Sequence, residues 1–384
     1  MHILHLIDGT VGWEQRIALN QLLDQLSRGR FDQSIASVSG SARHQLGLAD
    51  ERVPLFARRG WMHHICGPRL RRWVQRTHVD LVHAWGLDAA ETAGLALRSS
   101  TPLLVSQFDP CPPDRRVNML RTILPMTRGA IACAASTVRR RLIERGVGED
   151  RCVVVRPGVD FGTINETRKL RAHATNGGEP RPTLVVTADA GSPDAGQEIA
   201  VWATAARSNL DPHIQAMVPG MTRQHHRLMR AATAVGRPEA VAWSSPEAPF
   251  EALVTEADIL LLPVSRDIST TAIAWAMAGS TLVVAGAVYA TAELLAHQHN
   301  ALLIKPDTPR RMAIRVAATL GDLEGVAELK DTARGQAYEV FGVRRCIDQH
   351  ARLYDNLIAG RDPGDGIVDS SSIGVAAPNR PLNG

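Results

Sequence analysis

Two glycines stand where the first predicted strand of the chain turns into its first predicted helix. Gly9 and Gly12 follow the apolar run Ile3–Ile7, and the helix starts at about Trp13. A glycine-containing turn at a helix N-terminus can admit the phosphate or sugar of a ligand. Tight packing of strand against helix accounts for such a turn equally well. We therefore keep both interpretations of these glycines.

Histidines are the other side chains that could contact a ligand. His83 ends a predicted strand, where a ligand contact and a buried structural role are equally expected. His297 and His299 have no third metal ligand nearby, and the pair His225–His226 has none either, so we predict ordinary loop or surface positions for them. Neither a Ser-His-Asp triad nor a P-loop is found in the chain.

Short apolar runs alternate with longer helical stretches, which predicts βαβ units and mostly parallel sheets. The predicted strands of the first half are Ile3–Ile7, Gln33–Val38, Leu81–His83, Leu103–Ser106, Ala130–Ala134 and Cys152–Val155. Those of the second half are Thr183–Thr187, His213–Met217, Ala240–Trp243, Ile259–Pro263, Thr281–Ala285 and Ala301–Ile304.

This order predicts an α/β protein of two Rossmann-like, doubly wound domains that face each other across a ligand-binding cleft. The expected boundaries are 1–160 for the first domain, 161–182 for a polar linker with a loop, 183–340 for the second domain, 341–360 for a final helix that returns to the first domain, and 361–384 for a disordered tail.

Composition limits the class of protein. Residues 1–160 contain 22 Arg, no Lys and 15 acidic residues, which indicates either an anionic partner or a solvated arginine-rich surface. One basic aromatic stretch, from Trp61 to Trp73, fits a membrane-surface patch less well than a solvated helix face. The five cysteines are far apart, which favours a reducing compartment. We expect no signal peptide and no membrane-spanning helix.

Several segments, taken in order, resemble the glycosyltransferase family 4 group of GT-B enzymes. In the first half they are Gly9–Arg16, Asp80–Gly86, Val138–Val147 and Val154–Asp160. In the second half they are Ala257–Pro263, Ala276–Ala285, Glu293–Leu295 and Asn300–Pro306. The resemblance implies the GT-B fold and transfer, with retention, of a sugar from a nucleotide-diphosphate sugar, without a metal or other cofactor.

The same resemblance assigns the candidate site residues. Asp267 matches the first carboxylate of the family's Glu-x7-Glu pair and is the candidate catalytic residue. The residues expected to bind donor or substrate are Gly9, Gly12, His83, Ser265, Arg266, Ser269, Thr270, Thr271 and Glu293. The expected acceptor is a glycan or a lipid-linked molecule.

Four positions depart from the family pattern. Trp275 stands where the second carboxylate is expected, and it cannot accept a hydrogen bond from a ribose hydroxyl. Ala190 and Ala195 replace the Arg and Lys that face the diphosphate, and Phe108 replaces a histidine. Loss of two charge-assisted contacts would cost at least a few kcal/mol in binding.

Two hypotheses follow from these departures. The chain is either a sugar transferase with an altered donor site or a non-catalytic GT-B protein that binds a glycan or a partner. We expect a cytoplasmic protein that binds no nucleic acid, with peripheral contact to the anionic inner face of a membrane as an alternative. The sequence leaves the oligomeric state open.

Overall fold

The computed structural model describes residues 1–8, 12–38, 63–97, 101–175, 183–187, 196–219, 225–245, 248–322 and 325–368. These residues form two compact units. The N-terminal unit combines the described residues of Met1–Gly158 with those of Val343–Ser370. The C-terminal unit comprises the described residues of Val159–Gly342. Each unit is an α/β structure built on its own parallel sheet.

The sheet of the N-terminal unit has the strand order β2-β1-β3-β4-β5-β6, and every neighbouring pair is parallel. Its strands are β1 (His2–Ile7), β2 (Asp32–Ser37), β3 (Leu81–Trp85), β4 (Leu103–Gln107), β5 (Ala130–Cys133) and β6 (Cys152–Val154).

Both faces of this sheet are covered by apolar packing. In β1, Leu4 and Leu6 belong to the core on one face, whereas Ile3 and Ile7 belong to the core on the other. Successive side chains of a strand point to opposite faces, so burial on both sides requires a nearly continuous apolar run. The helices that cover it are α1 (Trp13–Gln25), α2 (His63–Arg76), α3 (Leu87–Ala96), α4 (Asp114–Met126) and α5 (Ser136–Glu144), with a 3-10 turn at Glu149–Arg151.

The sheet of the C-terminal unit has the order β12-β11-β10-β7-β8-β9 and is also parallel throughout. Its strands are β7 (Thr183–Thr187), β8 (Ile214–Val218), β9 (Val241–Trp243), β10 (Ile259–Leu262), β11 (Leu282–Gly286) and β12 (Leu302–Ile304).

One helix of the C-terminal unit is buried along its whole length. This helix, α10 (Thr271–Gly279), follows β10 and consists mainly of small and apolar residues, so it can pack among other helices on all sides. The other helices are α6 (Phe161–Thr175), α7 (Gln197–Ser208), α8 (His225–Thr233), α9 (Phe250–Glu256), α11 (Tyr289–Ala292), α12 (Pro309–Thr319) and α13 (Val326–Phe341), with a 3-10 turn at Pro238–Ala240.

The stretch 161–182, predicted as a linker with a loop, is helical over most of its length. Asp160 caps the N-terminus of α6: its Oδ1 accepts the backbone N–H of Gly162 at 2.9 Å, and its Oδ2 accepts the hydroxyl of Thr163 at 2.9 Å. Ile164 is buried, and α6 packs against α9 and α10. The loop prediction was wrong for residues 161–175. The Asn-Gly and Pro residues that indicate a loop lie after residue 175, and the prediction applied them to the capped helix that precedes them.

The predicted final helix is one of two consecutive helices. Gly342 separates α13 from α14 (Val343–Ala359), and α14 packs against β3 and α1 of the N-terminal unit. Tyr354, fully buried, is part of that unit's core.

The beginning of the predicted disordered tail is held against α14. The side chain of Gln349 donates to the carbonyl of Val368 at 3.0 Å, and that of Asn356 donates to the carbonyl of Asp365 at 2.9 Å. The expectation of disorder over 361–384 was therefore wrong for 361–368, because two buried amides of α14 bind its backbone. Residues 369–384 lie outside the described part of the chain.

Candidate functional site

The carboxyl edge of the C-terminal sheet holds the predicted loop of polar residues. The segment from Pro263 to Thr270 connects β10 to α10, alongside the end of β11. A Cβ atom at Gly286, the last residue of β11, would lie 1.8 Å from the carbonyl oxygen of Val264. Only glycine allows this approach, which places the ends of the two strands side by side. Ligands of doubly wound sheets bind at this edge.

The N-terminus of α10 opens at this edge. Its first backbone hydrogen bond runs from the N–H of Ala274 to the carbonyl of Thr270 at 3.1 Å, so the N–H groups of the preceding turn have no partner within the helix. The hydroxyls of Ser269 and Thr271 lie 3.2 Å apart. The N–H of Thr271 donates to the hydroxyl of Ser269 at 3.4 Å. N–H groups without helical partners and the helix dipole together favour an anion at this place.

Two buried polar atoms in the cap and the second turn of this helix have no hydrogen-bond partner among the described residues. They are the hydroxyl oxygen of Thr270, in a residue 2% exposed, and the indole Nε1 of Trp275, in a residue 6% exposed. Most buried polar groups in proteins are paired, and an unpaired one costs about 1–3 kcal/mol. A polar ligand at this edge would satisfy such atoms.

Asp267, the candidate catalytic residue, is buried and holds the loop to the next helix. Its Oδ1 accepts the backbone N–H of Ala290 at 2.9 Å, in the first turn of α11. The carboxylate therefore stabilises a helix N-terminus. This contact fixes the position of Asp267, while a role of the carboxylate toward a sugar stays a prediction.

The remaining predicted residues of this unit flank Asp267. Ser265 and Arg266 are exposed residues of the same loop. Glu293 is half-buried and directly follows α11, three residues after Ala290. The structure thus brings the loop residues to one edge of the sheet and ties them to the helix that leads to Glu293.

The positions at which two cations are replaced, Ala190 and Ala195, lie outside the described residues. The residue that follows them reaches the same edge, because a Cβ atom at Gly196 would lie 2.5 Å from the carbonyl oxygen of Pro263. Gly196 has a φ of +72° and starts α7. The segment between β7 and α7 therefore ends against the loop that follows β10.

In the N-terminal unit, Gly9 lies outside the described residues and Gly12 is exposed at the start of α1. The backbone N–H of Gly12 donates to Oε1 of Gln15 at 3.0 Å, and its φ of −62° is open to any residue. The N–H that was predicted to meet a ligand is thus bound by a side chain of the same helix. The predicted ligand contact at Gly12 would have to displace this side chain.

Asp8 is a site candidate that the sequence analysis missed. Its Oδ2 accepts the backbone N–H of Asp88 at 3.0 Å, in the first turn of α3. Gly86 has a φ of +110°, and a Cβ atom there would lie 2.3 Å from Oδ2 of Asp8. An acidic residue at the end of the first strand and a glycine after a neighbouring strand were the available signals.

His83 has no free ring nitrogen for a ligand. It is fully buried, its Nδ1 lies 2.7 Å from the hydroxyl of Tyr354, and its Nε2 lies 2.8 Å from the hydroxyl of Ser106. Burial, with the nearby His5 and His350, holds the pKa of His83 well below its ordinary value. The ligand contact expected at His83 was wrong, and the structural alternative holds, because both nitrogens are paired inside the core.

His83 belongs to a buried cluster that joins the sheet to α14. The indole N–H of Trp85 donates to Nδ1 of His5 at 3.0 Å, so Nε2 of His5 carries the proton that it shares with Gln33 at 3.0 Å. Nδ1 of His350 donates to the carbonyl of Cys346 at 2.9 Å. Burial lowers the pKa of His5 and of His350 to about 4, so both are neutral at neutral pH.

The two histidine pairs occupy structural positions. Nδ1 of His297 accepts the backbone N–H of Leu303 at 3.0 Å, and His225 packs against Trp243 with ring centres 4.3 Å apart. Within the described ranges, no three His, Cys, Asp or Glu side chains come together as a metal site. The helices found in those ranges are too short or too polar to cross a membrane.

Comparison with known proteins finds a family match in the first half of the chain and similar folds over nearly all of it. Residues 19–162 match the sequence model of Glycosyltransferase Family 4. The match lies within the N-terminal unit and the first residues of the C-terminal unit. No curated protein matches this sequence.

Solved structures are similar to this chain over nearly its whole length. HepE of Anabaena, in complex with UDP and glucose, is 18% identical with a TM-score of 0.75, and the match covers 93% of this chain and 100% of HepE. A glycosyltransferase of Rickettsia africae is 15% identical with a TM-score of 0.70, over 93% and 98%. Sucrose-phosphate synthase of Thermosynechococcus elongatus is 14% identical with a TM-score of 0.68, over 94% and 100%. The chain has the GT-B fold.

Two departures from the family 4 pattern fall on described residues. Phe108, where a histidine was expected, packs in the core of the N-terminal unit. Trp275, where a carboxylate was expected, is buried in α10, and its indole N–H has no partner in the described ranges.

Proposed function

We propose that this protein transfers a sugar, with retention, from a nucleotide-diphosphate sugar that binds at the carboxyl edge of the C-terminal sheet. The supporting observation is the first part of α10, where N–H groups lack helical partners and buried polar atoms of Thr270 and Trp275 have no hydrogen-bond partner among the described residues. HepE, which has the same fold, binds UDP and UDP-glucose.

The leaving diphosphate gains negative charge as the glycosidic bond breaks. In our proposal the backbone N–H groups at the start of α10 and the hydroxyls of Ser269, Thr270 and Thr271 stabilise this charge, in place of side-chain cations at positions 190 and 195. Neutral donors give a weaker contact than charged ones, by a factor of about two in energy. We therefore expect a donor affinity in the range typical of weak substrates.

Trp275 changes the chemistry of the site from accepting to donating a hydrogen bond. A carboxylate accepts hydrogen bonds from ribose hydroxyls, whereas the indole N–H can only donate, to a ribose or phosphate oxygen. Asp267 remains the carboxylate closest to the start of α10 in sequence, and its bond to Ala290 positions it. We assign Asp267 to orient the sugar.

Thr270 and Thr281 provide a matched test of donor binding. The hydroxyl of Thr270 has no partner in the described part of the chain, whereas the hydroxyl of Thr281, just beyond the other end of α10, donates to the carbonyl of Val254 at 2.7 Å. Thr270→Val should leave thermal stability unchanged and weaken binding of UDP-glucose or another nucleotide sugar about fivefold to tenfold, the value of one lost hydrogen bond. Thr281→Val should lower stability by about 1–2 kcal/mol and leave donor affinity unchanged.

Calorimetry with a panel of nucleoside diphosphates and nucleotide sugars measures binding, and release of nucleoside diphosphate measures turnover. Binding that Thr270→Val weakens, together with sugar transfer or donor hydrolysis, supports the proposal. Absence of binding across the panel would contradict it.

A second function is favoured by the replacements at Phe108 and Trp275, which leave both units without a group that the family uses. It is a non-catalytic GT-B protein that binds a glycan or a partner. Donor binding without any transfer or hydrolysis would support this second function over the first.

A further inference from the structure

A groove on the helical side of the C-terminal unit lies outside the proposed donor site. It has a volume of about 710 Å³ and runs between three helices, with α7 beneath and α8 and α12 on either side. Its lining residues are Glu198, Ile199, Trp202, Arg227, Arg230, Ala231, Ala234, Pro309, Arg310 and Ala313. We call it the arginine groove.

The floor of the arginine groove is an apolar surface that continues from the core. Ile199 and Trp202 lie one turn apart on α7 and are half-buried, packed against the cluster that contains Ala200 and Ile214. The walls carry small side chains, which leave this apolar floor open to an incoming group. An exposed apolar concavity of this kind marks a binding surface more often than a chance gap.

Arginines stand on both walls of the groove. Arg227 on α8 pairs with Glu198 at 2.5 Å, which neutralises the carboxylate among the lining residues. Arg230, one turn further along α8, and Arg310, on α12, are exposed and form no ion pair with any described residue. The rim therefore carries unbalanced positive charge on two opposite sides of an apolar floor.

This composition matches the centre of a protein interface. Trp and Arg dominate the residues that carry binding energy between proteins, and arginines on both sides attract acidic residues. An amphipathic helix binds such a groove with apolar residues at i, i+3, i+4 and i+7. A membrane fits this surface less well, because bilayer binding requires apolar side chains that project outward, and those of the groove form its floor.

We propose that the arginine groove binds an amphipathic helix of a partner protein whose apolar stripe has acidic residues on both sides. The apolar stripe covers Ile199 and Trp202, and the acidic residues on its two sides pair with Arg230 and Arg310. This binding is independent of the donor site, since none of the lining residues belongs to the loop after β10.

A display library of helical peptides, with a fixed apolar stripe and random flanking residues, tests the proposal on the full-length protein. Selected peptides should be enriched in Asp and Glu on both flanks. Ala234→Trp fills the groove from an exposed position and should weaken the best peptide at least tenfold, as should Ala231→Trp. Circular dichroism and thermal unfolding check that these variants fold.

Charge reversal makes the test specific. The double variant Arg230→Glu with Arg310→Glu should lose the acidic peptide and gain a version of it with lysine flanks. Arg311→Glu is the matched control, because Arg311 is the next residue of α12, is exposed and does not line the groove. It should bind the acidic peptide within about twofold of the unchanged protein.

Three outcomes would overturn the proposal. They are selection without enrichment of acidic flanks, equal binding of the best peptide to the groove-filled variants, and binding of phosphatidylserine vesicles at these arginines with no peptide selected. The last outcome would assign the surface to a membrane instead of a protein helix.

Discussion

At the carboxyl edge of each sheet an aspartate caps a helix, but the polar groups around the two aspartates differ. In the N-terminal unit, Asp8 follows β1 and binds the N–H of Asp88 at the start of the helix after β3. In the C-terminal unit, Asp267 lies in the loop after β10 and binds the N–H of Ala290 at the start of the helix after β11. In each case an aspartate caps the helix that follows the adjacent strand.

The two edges differ in the hydrogen bonding of the buried polar groups near the capping aspartate. Inside the core of the N-terminal unit, His5 and His83 each use both ring nitrogens in hydrogen bonds to neighbouring side chains. In the C-terminal unit, a hydroxyl of Thr270 and the indole N–H of Trp275 are buried and have no hydrogen-bond partner among the described residues. Paired histidines hold the core of the N-terminal unit together, whereas polar atoms left without a partner near a helix N-terminus can bind the polar groups of a ligand.

Substitution of the glycine at the carboxyl edge of each sheet is expected to cause the largest loss of stability. A Cβ atom at Gly286 would meet a backbone carbonyl at 1.8 Å, whereas one at Gly86 would meet the side chain of Asp8 at 2.3 Å. A side chain can move away from an added Cβ atom, whereas a backbone carbonyl cannot. Gly86 also has a φ of +110°, which adds backbone strain to a substitution there. Gly286→Ala should cost about 4 kcal/mol or prevent folding, and Gly86→Ala about 2 kcal/mol. Chemical denaturation measures both, and a Gly286→Ala protein as stable as Gly86→Ala would refute the ranking.

The second largest effect is expected at low pH, where the N-terminal unit should lose stability before the C-terminal unit. Burial lowers the pKa of His5 and His350 to about 4, while an unfolded chain protonates histidine below about 6.5. Their contribution to stability is therefore complete above pH 6.5 and is lost as the pH falls toward 4, by about 3 kcal/mol for each histidine.

In the C-terminal unit, partial burial lowers the pKa of His297, which is not part of a buried histidine cluster like that of His5, His83 and His350. Hydrogen exchange at pH 7 and pH 5 should show that β1, β3 and α14 lose protection before β10 and β11. Simultaneous loss of protection in both sheets would show that the histidine cluster does not govern acid stability.

The two capping aspartates give a smaller effect that distinguishes structure from ligand binding. Asp8→Ala and Asp267→Ala each remove a carboxylate cap, at a cost of about 1 kcal/mol in the free energy of unfolding. Only Asp267→Ala should also weaken the binding of a nucleotide sugar. Equal loss of donor affinity in both variants would place a ligand contact at Asp8 as well.

The strands were predictable because burial on both faces of a parallel sheet imposes continuous apolar runs. The predicted strand Thr183–Thr187 matches β7, and the others differ from the observed bounds by a few residues at most. The helix α6 was missed because its cap, Asp160, stands among residues that resemble a loop. The end of the chain up to Val368 was missed because its bonds come from amides of α14.

The polar pairs at the sites could not be predicted from local patterns. The partner of His83 is Tyr354, 271 positions away, and that of Asp267 is Ala290, 23 positions away. Sequence alone places His83 at the end of a strand without showing which helix covers it. It locates the polar loop after β10, but it does not show that buried atoms of Thr270 and Trp275 have no partner among the residues that the structure describes.

The most direct test of the account is a calorimetric titration of UDP-glucose and other nucleotide sugars into the unchanged protein and into Trp275→Phe. The phenylalanine keeps an aromatic ring in α10 and removes the indole N–H together with the second ring of the indole. We predict saturable binding of at least one donor and a fivefold to tenfold loss of affinity in the variant, the value of one hydrogen bond, while thermal unfolding measures separately the stability lost with the smaller ring. Equal affinity in both proteins, or no binding of any donor, would contradict the claim that the unpaired atoms at the start of α10 form the donor site.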